Sequence, residues 1–431
     1  MLLSLEPLPA SEGDCLLLHW GSAAAPKLAV IDGGPGGTYK KQLRKRLLDY
    51  LAKSGKKRLP IELVMVSHID GDHIVGITDL FAEVRADVDA GKQSAFQLKR
   101  LWHNTFNDVL NDGIDKYYKQ LPASLVAAVG GEPSPALESK LKTEFAAKGL
   151  ASNEAAQVSH DVASVLASQA DGRDLRNDHR ALFDAKQTAT LNSPFVDKNG
   201  KPTLVTASSK AAVTIADLSI LAVGPLPLDI QALQTEFDKY IKDKGLTAEA
   251  VVAAYADKSV PNLSSIVCLA TFGTGAHQAS ILFTGDARGD KIIEGLKVAG
   301  VLKTTPLKVD LLKVPHHGSS RNMEEAFFDQ IVARHYVFSG NGKYGNPDRE
   351  TLEWLTHSRG KGSDYTITLT YSVDEIDQTR KAYFEAHGTP WSAANDSLAP
   401  FLKKRRKDGY KFKLREGDPS PIELGDEHVP W

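Results

Sequence analysis

Residues 61–81 read IELVMVSHIDGDHIVGITDLF, the order of a strand, a short polar loop and a helix. The mostly apolar run Ile61 to Val66 predicts a strand, and Ile74, Ile77, Leu80 and Phe81 then fall on one helical face. Between them His68, Asp70, Asp72 and His73 lie within six residues, four lone-pair donors that one turn can aim at a single volume. That is metal-ligand spacing. In open α/β sheets ligands gather at the carboxyl ends of the strands, where this loop falls.

The same strand-then-loop context recurs farther along the chain. Gln278 to Phe283 predicts a strand ending in Thr284-Gly285-Asp286, and Val309 to Val314 one ending in Pro315-His316-His317-Gly318-Ser319-Ser320. Two distant parts of the chain can therefore contribute to one di-metal centre. Strands are also expected at Cys15–Trp20, Lys27–Ile31, Ala212–Ile215, Leu218–Val223, Ser264–Phe272 and Tyr336–Ser339. Tyr39 to Leu51, Asp229 to about Ala256 and Arg349 to Leu355 read as helices. Between these blocks an alanine- and lysine-rich stretch reads as a mainly helical insertion.

The 431 residues are 42% hydrophobic and hold no apolar run of the roughly 20 residues a membrane span needs. Lys and Arg (52) nearly balance Asp and Glu (54), a net charge of −2 that argues against a polyanion-coating protein and leaves any nucleic-acid contact regional. The two cysteines, Cys15 and Cys268, sit in apolar runs and read as buried thiols in a reducing compartment. The start, MLLSLEPLPASEGD, lacks the basic region of a signal peptide, so a cytoplasmic location is expected.

The motifs SHIDGDH, ILFTGD and VPHHGSS resemble the ligand motifs of the metallo-β-lactamase superfamily. Within it, Asp70 at the second motif position, the segment NLSSIV and HHGS are similar to the hydrolase domain of ComEC-type competence proteins and their soluble relatives. The resemblance implies an α/β fold, a four-layer αββα sandwich with metals at one edge. It divides the chain into a first half of that fold at 1–107, the insertion at 108–211, the second half at 212–370 and a C-terminal extension at 371–431. By position, His68 and Asp70 would bind one metal, Asp72 and His73 a second, and Asp286 would bridge. One of His316 and His317 completes the set, with the family pattern favouring His317. Asn262 stands where most of the superfamily carries His, and Asn346 stands where relatives often do. A site this rich in oxygen donors is harder than a His-rich zinc site, so manganese and magnesium join zinc as expected ions.

Two divalent ions about 3.5–4 Å apart activate a water and stabilise the attacking and leaving oxygens, with Asp72 orienting that water. The expected function is a metal-dependent hydrolase, a phosphodiesterase or nuclease. Its alternatives are a small-molecule ester, lactone or amide hydrolase and a metal-binding scaffold with a degenerate site in a multi-protein system. Asp32, Asn262, Ser319, Lys343 and Asn346 are candidates for supporting or substrate contacts, and His103 reads as structural. Phe401 to Arg415, FLKKRRKDGYKFKLR, reads as a basic hairpin turning at Asp408-Gly409. It is either a lysine-guarded edge or a phosphate-backbone contact. The insertion offers a surface for a protein partner.

Overall fold

The computed structural model describes residues 1–104, 170–207, 212–231 and 264–430, with residues 139, 142, 143 and 235. Most of the expected insertion, most of the helix from Asp229 and Asn262 lie outside the described residues.

The N-terminal part forms strands β1 (Leu2–Pro7), β2 (Cys15–Ser22), β3 (Ala25–Gly33), β4 (Leu59–Ile61), β5 (Leu63–Val66), β6 (Phe96–Leu98) and β7 (Leu101–His103). Beyond it come β8 (Val213–Ile215), β9 (Leu218–Gly224), β10 (Val267–Phe272), β11 (Ala279–Phe283), β12 (Leu307–Lys313), β13 (Ile331–Phe338), β14 (Thr366–Leu369), β15 (Lys413–Glu416) and β16 (Ile422–Glu423). Six strands make one sheet in the order β16-β1-β2-β3-β5-β7, and eight make a second in the order β15-β14-β13-β12-β11-β10-β9-β8.

Side-chain alternation sorts these sheets into layers. On β3, Ala29 and Ile31 face the second sheet's Ile281, Phe283 and Leu311, whereas Leu28 and Val30 face Leu47, Ile77 and Phe81 on the helices Arg44–Ser54 and Gly71–Asp89. On the other side Leu282 and Leu312 pack against Leu296, Phe328, Leu352 and Ile376 of the outer helices. Three cores between four layers make an αββα sandwich, the α/β fold expected for the metallo-β-lactamase type. Residues 170–184 of the expected insertion are helical and bury Leu175 and Leu182 in the first outer core. Among the described residues no helix is long and apolar enough to cross a membrane.

The basic C-terminal segment corrects the sequence reading. Leu398–Lys407 is an α-helix, not a strand, because Leu398, Phe401 and Leu402 share a face buried in the second outer core. Asp408 ends that helix and Gly409, at φ +98°, turns the chain out of it, so the pair closes a helix instead of a hairpin. The following strand β15 pairs in parallel with β14, Thr366 opposite Lys413. Arg405 is held by Glu353 at 2.9 Å, Arg415 by Asp418 and Lys404 by Asp408 at 2.6 Å, and Lys403, Lys404, Arg406, Lys407, Lys411 and Lys413 are exposed.

Both cysteines are buried and unpaired. Cys268 lies between the sheets with its Sγ 4.0 Å from Met65 Sδ, and burial pushes its thiol up to about 12. Cys15 is raised as well, by burial and then by Asp32 and Asp14. Neither thiol should react with an aromatic disulfide reagent at pH 8 in the native protein, and both should react in guanidinium. Rapid native labelling would contradict this packing.

Candidate metal centre

β5 is buried along its whole length, as a central parallel strand must be, and it delivers Ser67 and His68 to one edge of the sandwich. The helix Gly71–Asp89 begins directly after, carrying Asp72 and His73 in its first turn. Two glycines set how closely that helix can approach β3: a Cβ on Gly76 would lie 2.0 Å from the Gly33 carbonyl, and one on Gly33 2.4 Å from the Ile77 nitrogen. The close approach brings His73 against Asp32 at the end of β3. Asp286 follows β11, and His316 and His317 follow β12, so parallel strands present them from the facing sheet. Asp32, His316 and His317 all hold positive φ (57°, 46° and 52°), a conformation costly for non-glycine residues and concentrated at functional sites.

Asp286 is the hub. Its Oδ1 lies 3.3 Å from His73 Nε2, and its Oδ2 lies 3.5 Å from His317 Nε2, 3.6 Å from His316 Nε2 and 3.9 Å from His68 Nε2. Asp72 Oδ2 is 3.2 Å from His317 Nε2 and 3.7 Å from His73 Nε2, while Asp70, on the exposed rim, is 3.5 Å from His68 Nε2. Two donors bound about 2.1 Å from one tetrahedral ion lie about 3.4 Å apart, the spacing these pairs show.

The three buried imidazoles are oriented alike. His73 Nδ1 is 2.9 Å from Asp32 Oδ2, His68 Nδ1 is 3.0 Å from Ser67 Oγ, and His317 Nδ1 is 3.0 Å from Ser339 Oγ. Asp32 in turn accepts both the Ser67 N–H and its hydroxyl, each at 2.7 Å. With every Nδ1 engaged, the Nε2 atoms of His68, His73 and His317 and the Oδ1 of Asp286 are buried without a hydrogen bond from the protein. A buried polar atom in that state is costly unless an ion or another group satisfies it. The residues fit divalent metal, with imidazoles tied back by outer partners as metal-ligating histidines characteristically are.

Electrostatics agree. Burial opposes charge on Asp286, yet His317, His73 and His316 hold its carboxyl well below the usual range. Burial likewise opposes protonation of His73 and His317, but Asp286 and neighbouring carboxylates hold both well above the ordinary histidine range. Metal must displace those protons, so affinity should weaken as pH is lowered.

Asp14 and Lys313 were not singled out from sequence. Asp14 lies with His73, Asp286 and His317 in one group able to hold metal. Its oxygens, however, are engaged by Lys313 Nζ at 2.7 Å and by the Ser339 hydroxyl, so it supports His317, 3.4 Å away, from behind. Lys313 is 1% exposed, a charge inside the apolar run VDLLKVP, and that was the available signal. Of the two histidines, His317 joins the buried group; His316 reaches only Asp286 among the carboxylates and stays outside it. Ser319 is buried beside them, and Lys343 bonds Glu12 at 2.6 Å. Asn346 lies in the loop after β13, its carbonyl 3.8 Å from the place a Cβ on Gly340 would take. His103 is fully buried, with its pKa lowered to about 3 by burial and then by Arg176 and His179, and it is in neither ligand group.

Fold and site together define a class: an αββα sandwich of the metallo-β-lactamase type with a histidine–aspartate cluster at its edge, which suggests a metal-dependent hydrolase. Residues 27–153 match the family model described as metallo-beta-lactamase superfamily. Among curated proteins the chain is similar to microtubule-associated protein futsch of Drosophila melanogaster, 33% identical over 110 residues, which is 25% of this chain and 2% of that protein. It is 33% identical over 84 residues to microtubule-associated protein 1A of Rattus norvegicus (19% of this chain, 3% of that one). To the Homo sapiens protein of that name it is 30% identical over 104 residues (22% and 4%). The chain thus spans 2–4% of the length of these relatives, a local likeness.

Proposed function

We propose that this protein is a metal-dependent phosphodiesterase acting on nucleic acid or nucleotides. The observation that carries the reading is the set of three imidazoles, each held through Nδ1 and each turning a buried Nε2 toward Asp286. Divalent ions, when bound there, supply an activated water and positive charge for the attacking and leaving oxygens. The chain's own part is to fix that geometry: Asp32 and Ser67 hold His73 and His68, Asp14 and Ser339 hold His317, and Asp72 faces His317 at 3.2 Å.

The choice of phosphodiester rests on the ComEC-like motif variant and on the exposed cations of Leu398–Lys407 and β15. Those cations start at the amino end of β15, whereas the cluster lies at the carboxyl ends. With strands spaced about 4.8 Å, β15 sits about 14 Å to the side of β12. They suit contacts to a phosphate backbone running away from the reacting centre. The buried, unpaired thiols accord with a cytoplasmic setting.

The test is metal-free protein reconstituted separately with manganese, zinc or magnesium and assayed on single- and double-stranded DNA, RNA and model phosphodiesters. Phosphodiester hydrolysis is expected, with manganese at least as effective as zinc because Asp70, Asp72 and Asp286 supply hard donors. Turnover confined to carboxylic esters, lactones or amides would overturn the substrate class.

A further inference from the structure

β13 ends at Phe338, and the loop Gly340-Asn341-Gly342-Lys343-Tyr344-Gly345-Asn346 follows one residue beyond Ser339. This loop is clamped from behind by the helix Val373–Ala386. Arg380, 2% exposed, donates from Nε to the Gly345 carbonyl at 2.8 Å and from Nη1 to the Asp396 carbonyl at 2.6 Å. Gly342, at φ +93°, leaves no space for a side chain: a Cβ there would sit 2.6 Å from the Ile376 carbonyl.

On this anchored loop Tyr344 is 48% exposed. Its ring meets Tyr383 edge-on, with centroids 6.4 Å apart, and Tyr383 is itself wedged between His387 and Phe384. Lys343 Nζ lies 5.2 Å from the Tyr344 ring centroid and 2.6 Å from Glu12 Oε1. Glu12 adjoins Gly13, where a Cβ would be 1.8 Å from the Asp72 carbonyl, and the Asp14 N–H donates to that carbonyl at 3.2 Å. A buttressed aromatic ring thus stands half out of the surface on the rim of the metal centre.

We infer that Tyr344 is a stacking platform for an unpaired nucleobase next to the phosphodiester held at the cluster, which makes a single-stranded nucleic acid the favoured substrate. The inference rests on the phosphodiesterase reading. A flat, sequence-tolerant aromatic face is what single-strand binders offer a base, and the loop's rigidity lowers the ordering cost.

The experiment compares manganese-loaded wild type, Tyr344→Ala and Tyr344→Phe on a deoxyadenosine hexamer and on a hexamer of tetrahydrofuran abasic sites. Tyr344→Ala should raise KM for the adenine hexamer roughly 5- to 150-fold with little change in kcat, and leave the abasic hexamer unaffected. Tyr344→Phe should restore the wild-type KM. Equal kinetics for wild type and Tyr344→Ala on the adenine hexamer, or an equal loss on both hexamers, would overturn the platform while leaving the phosphodiesterase reading intact. If wild type cleaves neither hexamer but does cleave duplex DNA, RNA or a model phosphodiester, the single-strand inference is overturned and the phosphodiesterase reading stands; if it cleaves none of them, both are overturned.

Discussion

Replacing Asp286 by Ala should lower metal affinity by more than about a hundredfold and abolish hydrolysis, the largest functional effect expected of any single substitution here. Asp286 alone lies within 3.9 Å of all four histidine Nε2 atoms of the cluster, whereas Asp72 reaches only those of His73 and His317, so no other carboxylate replaces all of its contacts. Supporting partners behind a ligand typically cost 10–100-fold when removed, which sets the scale for Asp32→Asn or Ser67→Ala. Titration calorimetry and elemental analysis of the three variants would give the ranking, and metal should raise the Tm of wild type but not of Asp286→Ala. Equal metal content in wild type and Asp286→Ala would remove Asp286 from the centre.

Lys313→Met should be the most destabilising change in this region, by about 3–5 kcal/mol, because it strands the Asp14 carboxylate in the interior. Both partners of this pair are 1% exposed and 2.7 Å apart. Burial works against ionised Asp14, while Lys313 and His317 keep its carboxyl well below the usual range. A carboxylate depressed on folding contributes stability that is complete above its unfolded pKa of about 3.9 and is lost as pH falls below it. Wild type should therefore keep this contribution at neutral pH and lose it in acid. Adding Asp14→Asn to Lys313→Met should recover part of the loss, since a neutral amide is cheaper to bury than an unpaired charge. Denaturant titrations at pH 7 measure all three. A loss under about 1 kcal/mol for Lys313→Met would mean the pair is not structurally coupled.

The C-terminal segment shows where reading the chain alone misleads. Asp-Gly is a hairpin signal, and Tyr410, Phe412 and Leu414 do alternate with basic residues. The same dipeptide also closes a helix, and which use prevails depends on whether Leu398, Phe401 and Leu402 find an apolar surface. That surface belongs to the second outer core, which no local pattern reveals.

The sequence by itself determined the motif-bearing loops and the elements around them. The donors His68, Asp70, Asp72 and His73 are adjacent in the chain, and the apolar runs of β5, β11 and β12 predict the strands that carry them. Only the tertiary structure decided which atoms work together. Ser339 and Asp14 are 325 residues apart and meet because β13 and the start of β2 reach the same edge of two facing sheets. The grouping of His317 with Asp14, His73 and Asp286, the burial of Lys313, the clamp of Arg380 on the Tyr344 loop and the alignment of each Nδ1 have the same origin. Strand order and sheet packing fix distances between residues remote in sequence, whereas periodicity and local motifs carry information about near neighbours alone.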